Sequence, residues 1–548
     1  MRDSPHMLIN TTTGRLFDRD KRASEFESQP IFKELVSSMT THIDRARIRH
    51  EVQQYFRYVV LSHKWEDNEP LFHHVIHIAV YDLDDSPTHK KLHMYCKVVR
   101  DAGFHWAWSD TCCIDRSDHF VLQEALVAMF KWYQGSALMI VFLRGVPSSS
   151  PRGALAGSVW NTRGWTLQEY IAAKKVRFYT EDWTLYRDLQ LPNHKESSEV
   201  VAEMEQATGV SAQQLMLLRP GLTSIREKLR LASTRSTTRV EDAAYSLLGI
   251  FSAVGIPAIY GEGKASLGRL LANILTRSGE VSILAWTGEP SEFNSCLPAR
   301  ITVYSEPATS HVPAPILKEE MQRTIAASHS LFDFDVALRL YDHLNGLPTP
   351  RFAESRMTLP CIAFLLPPFS HWRSGRVRSR RIYRVDTITF GMVEIRTRTD
   401  LSQITSLYLV HPWLDALLER EGNVDNEEFS DSGSDNDDHD EKEEEEEEEE
   451  DRMFWDDEEL SDEDADNNTS LPRSGAHPAP VRTLMDRETG ARRLVVLLRQ
   501  SFGALLMKPG ARVGDYQRVA TDSLIRVRFQ ESVSLTNILD NVHTVEVL

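Results

Sequence analysis

Four short apolar runs punctuate the first third of the chain: Tyr58–Leu61, Trp106–Ser109, Ala137–Leu143 and Val176–Tyr179. Their length and polar flanks fit buried strands rather than helices. Between them the apolar positions change period. Leu92, Tyr95, Cys96 and Val99 share one helical face, as do Leu122, Leu126, Met129 and Tyr133. Strands alternating with helices predict an α/β fold, a parallel sheet covered on both sides. In such sheets ligands sit beyond the carboxyl ends of the strands. Ser62, Asp110 and the approach to Trp165 fall there.

Residues 198–278 read as helical, with Thr238-x-x-Glu241 as a capping box opening a helix through Ile250. From about residue 280 the pattern shifts, and Tyr383–Ile395, Ser406–Val410 and Leu494–Leu498 favour strands, predicting a β-rich C-terminal region. The longest apolar stretch, Tyr245–Tyr260, contains Gly249, Gly255 and Pro257 and reads as a buried helix and turn, not a membrane span. No apolar segment of the signal-peptide kind follows Met1.

Charge changes this picture in one place. Glu421–Ser470 holds 27 acidic residues against Lys442 and Arg452, a net of −25 within a chain of −18, so the remainder is near +7. The segment Glu421–Arg482, with glutamate at every position from 443 to 450, is too polar to fold alone and reads as a disordered insertion. The alternative is a docking site for a basic protein partner, with Phe454 and Trp455 as anchors and Ser430, Ser432, Ser434 and Ser461 as phosphorylation candidates. The basic run Arg373–Arg381 lacks aromatic interleaving, which argues against nucleic acid and for a solvated loop or a partner of the acidic segment. Such an attraction would hold an inactive state. The five cysteines show no pairing pattern, as in a reducing cytoplasm. His73 and His77 have a zinc-compatible spacing without a metalloprotease motif, and Tyr260–Ala265 lacks the first glycine and the hydroxyl of a phosphate loop; both readings are set aside, with no metal expected.

Three dense blocks carry the candidate chemistry: Tyr58–Trp65, Trp106–Asp115 and Gly164–Tyr170. Trp165 and Glu169 are four apart and share a helix face, a carboxylate beside an indole that suits a cationic or sugar-bearing ligand. The bland alternative makes Trp165 core and pairs Glu169 with a neighbour such as Arg163. Ser62 is either a hydrogen-bond donor to a phosphate or ribose or a strand-end turn serine. Asp110 either orients a ribose or caps the following turn. Cys112 and Cys113 read as core sulfur.

In this order, and with Met7–Asn10, Thr237–Asp242, Tyr245, Leu247–Phe251 and Tyr260–Gly263, the blocks resemble the fungal heterokaryon incompatibility (HET) domain family over residues 7 to about 286. His63 and Glu66 depart from the family's commoner Tyr and Gly. The resemblance implies a TIR-like (flavodoxin-like) core at about 55–185 and a helical annex at about 186–285, completing a domain of residues 1–285. The β-rich region then spans 286–420 and 483–548, interrupted by 421–482. It further implies self/non-self recognition leading to cell death in a fungal cytoplasm, through self-association. TIR relatives that cleave NAD imply NAD as substrate, no required cofactor, Glu169 as the catalytic carboxylate, and Ser62, Trp65, Asp110 and Trp165 as binding residues. The competing expectation is a non-enzymatic interaction module whose blocks only build the fold.

Overall fold

A computed structural model describes residues 4–38, 43–253, 255–305, 334–377, 380–413, 484–512 and 514–548. The first sheet contains β1 (Leu8–Asn10), β2 (Leu16–Phe17), β3 (Tyr58–His63), β4 (Trp106–Trp108), β5 (Leu138–Leu143) and β6 (Val176–Thr180), in the order β2-β1-β4-β3-β5-β6. All four predicted strands form, and β4, β3, β5 and β6 run parallel. The antiparallel pair β1 and β2 extends the β4 edge. Every residue of β3 and β5 is buried, as a sheet covered on both faces demands.

The two predicted helical faces belong to the helices Pro87–Asp101 and His119–Gln134. The first starts where Ser86 accepts the His89 N–H and Pro87 fits the opening turn; the second starts where Asp118 accepts the Phe120 and Val121 N–H groups. Tyrosines pin both to the sheet. Tyr95 donates its hydroxyl to the carbonyls of Val59 (2.8 Å) and Trp108 (3.1 Å), and Tyr133 donates to that of Leu61 (3.1 Å).

The annex holds the helices Ser198–Thr208, Ala212–Leu217, Ile225–Ser233, Asp242–Tyr245 and Ala265–Ser278. The predicted capping box does not form. The Glu241 carboxylate instead accepts the backbone N–H groups of Gly261 (2.9 Å) and Gly263 (3.1 Å), so it cannot reach back to Thr238, and the helix runs only from Asp242 to Tyr245. Gly249 presses against the core helix: a Cβ there would lie 2.2 Å from Phe130 Cβ.

The C-terminal region is β-rich. Strands β8 (Arg356–Leu365), β12 (Tyr408–Pro412), β13 (Phe502–Pro509), β14 (Asp515–Arg518) and β16 (Val542–Val547) pair in a closed ring, each bonded to the next and β16 back to β8. Two short strands add to it, β7 (Arg351–Ala353) on β8 and β15 (Ile525–Val527) on β13. β9 (Trp372–Val377), β10 (Arg380–Thr387) and β11 (Gly391–Thr397) form a separate antiparallel sheet. Along β8, Met357, Leu359, Cys361 and Ala363 join the core of the first sheet and annex, whereas Ile362 and Phe364 face a second core under the helices Phe334–Asn345 and Leu484–Leu498. One hydrophobic core therefore runs from the first sheet into the ring.

Two expectations change here and a third is borne out in more detail. Leu494–Leu498 ends a helix, because Ala491, Leu494, Val495 and Leu498 are buried at helical spacing. Tyr383–Ile395 is two strands joined by a turn at Ile388–Phe390, with Thr387 opposite Gly391. The described residues of the basic run lie not in a loop but in the paired strands β9 and β10, where Arg380 lies 3.9 Å from Asp522 and Arg381 pairs with Asp400. The acidic insertion with its serines, Phe454 and Trp455 lies outside the described residues. Among those described, no helix is long and apolar enough to cross a membrane, and all five cysteines are free and buried.

Candidate functional site

The carboxyl ends of β3 and β5 face the helix Trp165–Ala172. That helix is set by a close backbone approach. Gly164 donates its N–H to the Ser236 carbonyl (2.9 Å), and a Cβ on it would sit 2.4 Å from Thr237 Cγ2, so only glycine lets the annex strand lie this near. The result places Glu169 against β3. The Ser62 hydroxyl donates to Glu169 Oε2 (2.5 Å), and the Trp160 indole N–H donates to Ser62 Oγ (2.7 Å). Ser62 is fully buried and Glu169 only 5% exposed. Burial first, then the negative charge of Asp110, pushes the Glu169 carboxyl up to about 8; the Ser62 hydrogen bond, Arg163 and Arg235 pull the other way. At neutral pH the resting carboxyl is mostly protonated.

Two indole–carboxylate pairs stand above this floor. The Trp65 indole donates to Asp110 Oδ2 (3.0 Å), and Arg116 stacks on the Trp65 ring with its guanidinium carbon 3.7 Å from the centroid. The annex supplies Asp242, which accepts the Trp165 indole N–H (3.1 Å) and the Tyr260 hydroxyl (2.9 Å). Burial raises the pKa of Asp242, and these two bonds oppose the shift. Arg239 lies over the Tyr260 ring at 4.2 Å.

Beneath the helix, Arg235 donates through one terminal nitrogen to the Arg163 carbonyl (2.9 Å) and Thr166 Oγ1 (2.8 Å). Its Nε and other terminal nitrogen are buried without a partner, as are Ser158 Oγ, Asn161 Oδ1, Arg163 Nε and Gln168 Nε2. Buried polar atoms are normally satisfied, so this run of them between residues 158 and 168, with Arg235, needs a reason. The neighbouring loop is held differently. Lys91 pairs with Glu69 and with Glu66 (3.2 Å), and Arg144 reaches Glu66 (3.3 Å). Burial alone would raise the Glu69 carboxyl, yet His63 and Lys91 hold it down to about 2. The departures His63 and Glu66 thus belong to one buried ionic network.

The structure brings Ser62 to Glu169 and Trp65 to Asp110, and it links the two pairs through the field of Asp110 on Glu169. Trp165 pairs outside the predicted set, with Asp242. Arg163 attracts Glu169 without an ion pair, so the neighbour pairing anticipated for them does not form as such. Asp242, Tyr260 and Arg239 sat in segments already singled out, without a role; Trp160, Arg116 and Arg235 carried no sequence signal. The glycines of Tyr260–Ala265 are occupied by Glu241, which supports setting the phosphate-loop reading aside. Two shallow cavities of about 460 and 210 Å³ lie elsewhere, one lined by Arg152, Glu199 and Glu203 and the other by Ser148, Thr180 and Arg187. Among the described residues no cluster of three or more His, Cys, Asp or Glu could hold a metal.

Residues 58–156 match the family model described as heterokaryon incompatibility protein (HET). This chain carries a HET domain. Over 221 residues it is 35% identical to the vegetative incompatibility protein HET-E-1 of Podospora anserina, an alignment covering 38% of this chain. The chain matches only 15% of that relative's length. No solved structure shows a significant match.

Proposed function

We propose that the HET domain of this chain cleaves the nicotinamide–ribose bond of NAD at Glu169, as the output of fungal vegetative incompatibility. The observation that carries the reading is the buried Ser62–Glu169 contact at the carboxyl ends of β3 and β5. The parallel strands follow the order second-first-third-fourth, which supports a flavodoxin-like, TIR-like core, with the β1–β2 pair added at one edge. The point between β3 and β5 is where the direction of winding reverses, the usual crevice for a nucleotide in such folds.

The chemistry suits one carboxyl. The nicotinamide of NAD is cationic, so its departure needs no proton. The C1′–N bond breaks with its electron pair returning to the pyridine nitrogen, water adds to C1′, and a proton is released. The carboxylate stabilises the ribose cation between these events. A carboxyl at about 8 must first ionise, and the substrate's own positive charge favours that. Trp165 and Asp110 then shape the ribose pocket, and Ser62 orients the carboxylate. NAD is the substrate and no further cofactor is called for. Self-association in the cytoplasm, with the acidic segment taking a basic partner, completes the reading.

Purified full-length protein at high concentration is expected to release nicotinamide from NAD. Glu169→Ala should abolish release while leaving the circular dichroism spectrum unchanged. For the free enzyme, kcat/KM should rise with pH through about 8, the ionisation of Glu169. A second reading is favoured by the 5% exposure of Glu169: a non-enzymatic interaction module in which these residues only knit core to annex. Equal, negligible turnover by both proteins, with wild type alone toxic on fungal expression, selects that module.

A further inference from the structure

Two arginines stand beside these indole–carboxylate pairs, and neither is locked into a short ion pair. Arg116 lies 3.7 Å from the Trp65 ring centroid, and its nearest carboxylate oxygen, on Asp110, is 4.0 Å away. Arg239 is exposed, lies 4.2 Å from the Tyr260 ring centroid, and makes no ion pair among the described residues. Three of the four carboxylate oxygens on Asp242 and Glu241, beside Arg239, are already engaged. Both oxygens of Asp242 accept hydrogen bonds from Trp165 and Tyr260, and Glu241 Oε1 holds the two glycine N–H groups. The arginines are near enough to repel, since Arg239 opposes the charge of Arg116. Like charges held together on aromatic shelves, Arg116 with one long bond to the Asp110 carbonyl (3.4 Å) and Arg239 with no ion pair among the described residues, are arranged for a shared anion.

We propose that Arg116 and Arg239 form a phosphate clamp at the mouth of the Glu169 site, gripping the pyrophosphate of a dinucleotide from opposite walls. The placement deepens the NAD reading, on which the choice of a dinucleotide rests. Arg116 adjoins Asp110, whose charge reaches Glu169, and Arg239 adjoins Asp242, whose partner Trp165 opens the Glu169 helix. A ligand with its ribose over Glu169 and its phosphates further out meets both guanidinium groups. Arginine is the suited residue because its planar fork bonds phosphate oxygens in pairs.

Calorimetric titration of the full chain tests the clamp directly, using ADP-ribose, inorganic pyrophosphate and adenosine as probes. ADP-ribose and pyrophosphate should bind in a salt-sensitive manner, and adenosine far more weakly. Arg116→Gln and Arg239→Gln should each weaken ADP-ribose by about tenfold, as expected for loss of one charge-assisted bond set, and the pair together by about a hundredfold. Arg239 is exposed, so its single variant keeps the test valid even if the half-buried Arg116 variant folds poorly. Unchanged ADP-ribose affinity in Arg239→Gln, no ADP-ribose binding by the wild type, or equal binding of adenosine overturns the clamp. NAD turnover with an unaltered KM in Arg239→Gln likewise overturns it while leaving the catalytic reading intact. Arginine-dependent ADP-ribose binding without nicotinamide release does the reverse.

Discussion

Arg235 and Arg518 are buried to the same degree and pushed down to about 10 by the same cause, desolvation, yet they are used differently. Arg518, at the end of β14, stacks on Trp286 at 3.9 Å and donates to the carbonyls of Leu284 (2.8 Å), Trp286 (2.7 Å) and Cys296 (3.4 Å). It fastens the strand ring to the segment that follows the annex. Arg235, beneath the candidate site, bonds one carbonyl and one hydroxyl and leaves two nitrogens without partners. A buried cation with both terminal nitrogens bonded is a fastener; one with a terminal nitrogen and Nε unbonded keeps capacity that the resting fold does not use. The contrast is between these two arginines and not between whole regions: in the ring Asp515 is met by Arg356 (2.7 Å) and Glu546 by Thr358 (2.7 Å), yet Trp413 Nε1 and Asp522 Oδ2 of the C-terminal region are also buried without a hydrogen bond among the described residues.

The largest effect that sharpens this comparison is on pH dependence. The folded-state pKa of Glu169 is raised from 4.5 to about 8, so the folded chain binds a proton that the unfolded chain has lost. Its contribution is fully present below 4.5 and disappears as pH rises through about 8. The loss is up to about 5 kcal/mol, an upper figure at 1.36 kcal/mol per unit. Glu169→Gln should remove this slope, which urea melts of both proteins between pH 5 and 9 measure. Parallel slopes would mean that Glu169 is solvated and ionised in the fold.

Arg518→Ala should cost about 3–5 kcal/mol, because each buried carbonyl left without a donor costs about 1–3 kcal/mol. It strands three carbonyls at once. Arg235→Met should cost roughly 1–3 kcal/mol less than Arg518→Met, because fewer groups lose a partner and two unsatisfied donors disappear. Paired denaturation curves decide it. Equal costs would show that the unused donors of Arg235 are satisfied in solution, and the contrast between the two arginines would fall.

Much of the first sheet was legible because β3 to β6 are contiguous apolar runs with clean flanks, and the helical faces between them repeat at a single period. Ser62, Asp110 and the approach to Trp165 could be placed from strand ends, and Glu169 from its helical spacing to Trp165 together with the family resemblance. What stayed hidden depended on long-range contact. Asp242 meets Trp165 across 77 positions and Trp160 meets Ser62 across 98, distances that no local pattern encodes. The Thr238 capping box failed for the same reason, since Glu241 had a tertiary use. In the C-terminal region, Leu494–Leu498 was too short for its period to be read without Ala491.

A smaller effect follows from how the site is seated. Gly164→Ala brings a Cβ against Thr237 Cγ2 and should cost about 1–3 kcal/mol as an overpacked contact, lifting the Glu169 helix off β3. Adding Thr237→Ser removes the methyl and should restore most of the loss. Failure of that rescue in a thermal melt would locate the strain elsewhere.

The smallest effect is also the most specific. Arg235 lowers the Glu169 pKa against the stronger pull of burial, so Arg235→Gln should move the carboxyl further up. The Arg518→Gln change should leave it where it is, because Arg518 is absent from the charges acting on Glu169. If turnover requires the ionised carboxyl, the kcat/KM profile of Arg235→Gln shifts to higher pH with an unchanged plateau. A merely structural arginine would instead lower activity equally at every pH. The Glu169 ionisation followed by difference infrared spectroscopy gives the same answer without turnover, so the assignment of Arg235 as a reserve of positive charge stands or falls independently of the substrate.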